Sequence, residues 1–106
     1  MKKNKFGAKK VVIDNITFAS KAEGIRYCDL KLLQIAGEIT DLKCHPAYPL
    51  KINDVKVGRY TADFEYVDKA TGEVIIEDVK GRITEASSLR IRVFNALYGK
   101  TVRIIK

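Results

Sequence analysis

The chain has 106 residues, enough for one domain, and its 46% hydrophobic and 31% charged content excludes wholesale disorder. Twenty Lys and Arg against thirteen Asp and Glu leave a net charge of +7, which points to an anionic partner, most often nucleic acid. No apolar run approaches the ~18 residues of a membrane span, the start lacks the apolar stretch of a secretory signal, and Cys28 and Cys44 fit no zinc spacing, so reduced thiols in a cytoplasmic protein without a membrane partner are expected.

Residues 1–10 carry five lysines and no periodicity, and read as a basic arm ahead of a single domain over 11–106. Val11 to Ile13 and Ile16 to Phe18 flank Asp14-Asn15, two residues that tolerate positive φ, so a tight hairpin is predicted. Ser20-Lys21-Ala22-Glu23 matches a capping box and predicts a helix to about Ala36, closed by Gly37. Ala22, Ile25, Leu32, Leu33 and Ala36 share one side of that helix at helical spacing. Ile39 to Ile52 reads as extended, and Pro46 and Pro49 make it an edge or interrupted strand before a turn at Asn53-Asp54. Over Arg59 to Val67 the residues alternate, with Tyr60, Ala62, Phe64 and Tyr66 on one side and Thr61, Asp63, Glu65 and Val67 on the other. A turn ending at Gly72 leads to a strand over Glu73 to Lys80. Thr84 caps a second helix reaching Tyr98, Gly99 ends it, and Thr101 to Ile105 forms a last strand. The expected class is α/β with α+β character: a helix, three strands, a helix and a strand around a mixed sheet, behind an N-terminal hairpin.

The strand pair from 59 to 80 holds the most suggestive chemistry. If Asp68 faces Glu73 across a four-residue loop, Asp63 lies opposite Asp78. Opposed residues on one face have Cβ atoms about 4.5–5.5 Å apart, so two carboxylates there repel unless a divalent cation joins them. Period two adds Lys80 to the face of Asp78. A one-residue bulge would pair Asp63 with Glu77 instead, although Glu77 points away from Lys80, to the face of Phe64. Oxygen-only ligands suit Mg²⁺ or Mn²⁺, which can activate water against a phosphodiester beside an ammonium group. A surface hairpin with a charged wet face is the bland alternative.

Other features are less specific. Glu23 is explained structurally as the N3 partner of Ser20. Cys44-His45 has no second histidine to pair with and reads as structural. Lys5, Lys9 and Lys10 suit a phosphate-contacting arm, and Arg82, Arg90 and Arg92, just past the candidate site, could track a nucleic-acid backbone. On the second helix Leu89, Val93, Ala96 and Leu97 make one apolar side, while Ile91, Phe94 and Tyr98 make another. Such a helix is either buried on two sides or pairs with a partner, and in a chain this small a homodimer is expected, which would offer two sites to two strands of branched DNA.

Asp63, fourteen intervening residues and Asp78-Val79-Lys80 resemble the signature of the PD-(D/E)XK nuclease superfamily, whose core order is α-β-β-β-α-β. The chain is similar to small phage-encoded proteins of unassigned function in that superfamily, through Asn4 to Lys10, Ser20 to Glu23, Thr61-Ala62-Asp63-Phe64 and Glu77-Asp78-Val79-Lys80-Gly81. The resemblance implies a restriction-endonuclease-like fold and Mg²⁺-dependent (or Mn²⁺-dependent) endonuclease cleavage of DNA, and the expected substrate is branched or otherwise structured phage DNA in the bacterial cytoplasm. It implies metal ligation by Asp63, Asp78, the Val79 carbonyl and Glu23, with Lys80 assisting the attacking water and Glu77 as the alternative ligand. Ala62 replaces the superfamily's proline, and Ser87 to Arg90 replaces the aromatic and lysine usual early in its second helix. A non-catalytic DNA-binding accessory protein and a phage adaptor are the rival expectations.

Overall fold

Paired left-handed residues set both of the short hairpin turns. Asp14 and Asn15 have φ of 54° and 63°, and Asn53 and Asp54 have 50° and 66°. Two such residues in succession give the turn whose twist matches paired strands. The first joins β1 (Val11–Ile13) to β2 (Ile16–Phe18). The computed structural model describes residues 9–106. Lys5 and most of the expected basic arm therefore lie outside the described residues, while Lys9 and Lys10 are exposed.

Helix α1 (Lys21–Ile35) starts where its cap predicts, with the Ser20 hydroxyl accepting the Glu23 N–H at 3.1 Å. Gly37, at φ 82°, follows its end. The buried face differs from the expected one. Glu23, Gly24, Tyr27 and Leu30 turn inward, while Ile25, Leu32 and Leu33 are exposed. The neighbours decide this: Tyr27 and Leu30 meet Phe18, Ile39 and Phe64 in one core cluster. Gly24 lies so close to β1 that an added Cβ would sit 2.7 Å from Val11 Cγ2.

The middle of the chain is one long bent hairpin. β3 (Ile39–Cys44) continues into β4 (Ala47–Ile52), and β5 (Val55–Thr61) continues into β6 (Phe64–Asp68). Cys44 pairs with Phe64 on one side of the bend and Ala47 with Thr61 on the other, three residues on in each strand, so the register passes through the corner. The expected single strand over 59–67 is thus broken at Ala62-Asp63, while its alternation of buried and less buried residues runs on through the break. Tyr60 and Ala62 pack in one core cluster, while Phe64 and Tyr66 pack in the other.

β7 (Val74–Val79) pairs antiparallel with β6, helix α2 (Glu85–Tyr98) crosses over, and β8 (Arg103–Ile105) returns parallel to β7. The main sheet runs β3-β6-β7-β8, with β4-β5 as a folded-over ribbon. This is an α+β domain with two helices and a mixed four-stranded sheet, consistent with the restriction-endonuclease-like order expected. α2 is capped by Thr84, whose hydroxyl accepts from Ser87 N at 3.1 Å, and ends at Gly99 with φ 62°.

α2 also corrects an expectation. Ile91 and Phe94 are not a surface for a second copy; they are buried with Leu50, Tyr60, Ala62 and Ile76. Phe94 stacks among Tyr48, Tyr60 and Tyr98 at centroid distances of 4.7, 5.0 and 4.6 Å. Burying a side chain of this size stabilises by ~1.5–3 kcal/mol, which the chain gains internally. Only Tyr98 of the three remains exposed, beside Leu89 and Leu97. No helix among the described residues is long and apolar enough to cross a membrane.

Candidate metal centre

The bend carries the chemistry. His45 and Asp63 sit at its two corners, and the His45 N–H donates to the Asp63 carbonyl at 2.9 Å. His45 takes a left-handed φ of 55°, one of the conformations that turns β3 into β4. On the other strand, the expected register holds down the β6-β7 ladder to its last pair, Phe64 with Glu77. Asp63 lies one step beyond. Its N–H donates to the Glu77 carbonyl at 3.1 Å, while its Oδ2 accepts the Val79 N–H at 2.6 Å. In an antiparallel pair, a residue that donates to the neighbouring strand turns its carbonyl to the same side, so the Val79 carbonyl shares this edge.

Three carboxyl groups gather there. The Asp63 carboxyl interacts with those of Glu23 and Asp78. Glu23, only 6% exposed, comes from the first turn of α1. Its Oε1 lies 3.0 Å from His45 Nε2 and accepts the Ala19 N–H at 3.4 Å, so only half of the expected capping box forms. Asp78, also buried, accepts the Tyr60 hydroxyl on Oδ2 and faces Lys80 Nζ at 3.4 Å from Oδ1. The structure therefore brings together Glu23, Asp63, Asp78, Val79 and Lys80.

Glu77 is elsewhere. It is fully buried on the α1 side, where Arg26 grips both of its oxygens at 2.8 and 2.6 Å and the Tyr66 hydroxyl donates to it. Both of its carboxylate oxygens are taken up by that pairing. The Arg26 guanidinium is held charged by the same contact, its pKa pushed further up by hydrogen bonding to Glu77. Burial, and then the bond to Glu77, pushes the Tyr66 hydroxyl up to about 12.

The electrostatics register the crowding. Burial first, offset by the Val79 N–H and reinforced by Glu23, pushes Asp63 up to about 6. Burial also raises Asp78; Asp63 adds to that rise, while Tyr60 and Lys80 oppose it. Tyr60 is raised in turn by burial and by its bond to Asp78. Buried and half-buried carboxylates that destabilise one another's charge are what a divalent cation would relieve. The donor set is mostly oxygen, which fits Mg²⁺ or Mn²⁺. One nitrogen joins it, since ligating atoms of Glu23, His45 and Asp63 lie within 4.8 Å of one another. Sequence reasoning set His45 aside because it is the sole histidine. The available signal was the Asn53-Asp54 turn, which folds the strand bearing His45 onto the one bearing Asp63. A register shift between Leu50 and Lys51 displaces any count made from that turn.

Beside Asp78 and Lys80 opens a cleft of ≈ 490 Å³, also lined by Arg59, Tyr60 and Arg90 and reaching the start of α2 at Thr84. Of the three arginines expected to track a backbone, only Arg90 lines it; Arg82 and Arg92 are exposed outside it.

The fold and site define a small α+β domain with a carboxylate-rich centre at a bent sheet. The chain belongs to the DUF1064 family of proteins of unknown function, whose model matches residues 3–106. Neither a curated protein nor a solved structure matches it.

Proposed function

We propose that this protein is a metal-dependent nuclease of PD-(D/E)XK type that hydrolyses phosphodiester bonds in DNA. The observation that carries the reading is the meeting of Glu23, Asp63 and Asp78 beside Lys80 at the bend. Glu23, Asp63 and Asp78 would hold a Mg²⁺ or Mn²⁺ ion, with the Val79 carbonyl and His45 at the margins of the site. Such an ion supplies charge to a phosphate oxygen and acidifies a bound water. The rest is the work of the chain. Val79 fixes the Asp63 carboxylate from one side, and Tyr60 fixes Asp78, so the ligands need little reorganisation. The Lys80 ammonium, held beside Asp78, orients the attacking water and stabilises negative charge as it grows on the phosphate. The net charge of +7 favours a polyanionic substrate.

The test is cleavage of branched and linear DNA with Mg²⁺ or Mn²⁺. Wild type is expected to cut, and Asp78→Ala and Lys80→Ala to lose cutting while still binding DNA. Undiminished cutting by Asp78→Ala, or binding without cutting by wild type on every substrate, overturns the reading; the second outcome favours an accessory DNA-binding role.

A further inference from the structure

We infer that the cleft between the β4-β5 ribbon and the start of α2 is a phosphate-gripping groove for one nucleic-acid strand, with Arg59 and Arg90 as its clamps. The inference takes the nature of its ligand from the nuclease reading but does not depend on catalysis. Three observations point to it. First, the cleft at ≈ 490 Å³ lies in the ~300–1,000 Å³ range of small-ligand sites, enough for a nucleotide unit or two. Second, its charge is one-sided. Arg59, Lys80 and Arg90 line it against a single acid, Asp78, which Lys80 and Tyr60 already occupy. Among the described residues neither Arg59 nor Arg90 is paired with a carboxylate, so both guanidinium forks are available to a phosphate. Third, its position is continuous with the metal centre through Asp78. A strand whose phosphates run along Arg59 and Arg90 is delivered to the carboxylate cluster.

The groove reads backbone rather than bases. Tyr60 is the cleft's aromatic residue, and it is 4% exposed with its hydroxyl on Asp78, so it offers no stacking face. Contacts to phosphates fix a strand's position and carry no sequence information. The fold-over of β5 creates it. Arg59 belongs to the ribbon and Arg90 to α2, and the bend at Ala62-Asp63 swings the ribbon over to that helix.

The test is metal-free binding of a labelled single-stranded oligonucleotide to the full chain in EDTA, followed by fluorescence anisotropy across a salt series. Arg59→Gln and Arg90→Gln are each expected to weaken binding and to lower the slope of log K against log salt by ~0.7. The double variant should lose both increments. Lys51→Gln, an exposed cation outside the cleft, is the control. Both arginines are exposed, and unchanged thermal melting will confirm folding. Wild-type affinity and slope in the double variant, or an equal loss in the control, overturn the groove. If the double variant loses binding as expected while wild type cuts nothing, the groove stands and the nuclease reading falls. If wild type cuts and the double variant binds normally, the reverse holds.

Discussion

Asp63 is where a single side chain feels the whole site. Its carboxyl titrates at about 6 in the fold, against ~3.9 in an unfolded chain. The fold therefore holds that proton more tightly than the unfolded chain does. The stability this gives is complete below about pH 4 and is lost as pH rises through about 6. Asp78, also raised, acts in the same direction. Without divalent cations the domain should be more stable at pH 5 than at pH 7.5, by roughly 1 kcal/mol after solvent screening of the half-buried group. Urea unfolding at the two pH values reads this directly, and equal midpoints would contradict it. A cation must displace the same proton, so Mn²⁺ affinity by calorimetry should fall about tenfold per unit below pH 6. Glu77 behaves oppositely to a ligand. Arg26→Ala leaves it buried without its main partner and should cost about 3 kcal/mol by chemical denaturation. Glu77→Gln should leave Mn²⁺ affinity unchanged, and a large loss of affinity would return Glu77 to the metal site.

Among the elements, α1 and the bent hairpin do most to position the site. α1 delivers Glu23 only because its first turn lies hard against β1, and Gly24 permits that approach. Gly24→Val would place a branched side chain against the stiff Val11 and should destabilise by about 2–3 kcal/mol. It should also weaken Mn²⁺ binding by moving Glu23. A stable variant with full affinity would show that the contact is dispensable. The caps and turns of these elements were legible in the sequence, because a cap or a left-handed turn is fixed by two or three neighbouring residues. Which face of α1 is buried was not. The stripe of Ile25, Leu32 and Leu33 has helical spacing, yet the chain buries Tyr27 and Leu30, since the rings of Phe18 and Phe64 lie beneath them. The alternation across Arg59 to Val67 holds throughout, but its buried side meets one core cluster up to Ala62 and the other from Phe64 on. A strand that changes sheets also changes which layer its buried face meets.

For the whole molecule, the question is what α2 is for. A helix apolar on two sides invites a dimer, but Ile91 and Phe94 are spent on the chain's own core. Phe94→Ala should therefore cost about 3–5 kcal/mol in thermal unfolding, with no change in sedimentation of the folded fraction. Dissociation of a dimer by that variant, without loss of stability, would restore the helix as an interface. The ribbon β4-β5 and α2 thus form a second layer whose outer cleft lies next to the carboxylate cluster, and the bend couples the two.

The two helices with their caps, the hairpin turns and the pairing of Asp63's strand with that of Asp78 were legible in the sequence, because each depends on local backbone preference or on a period of two counted from a nearby turn; the split of the expected three central strands into five was not. The sequence also singled out Asp63, Asp78 and Lys80 as one constellation. The tertiary structure alone decided that His45 joins Glu23, that Arg26 takes Glu77 out of reach, and that Arg59 stands across a cleft from Arg90. These groups come from segments far apart in the chain, and their meeting rests on where one long hairpin bends, which no count along a single strand reveals.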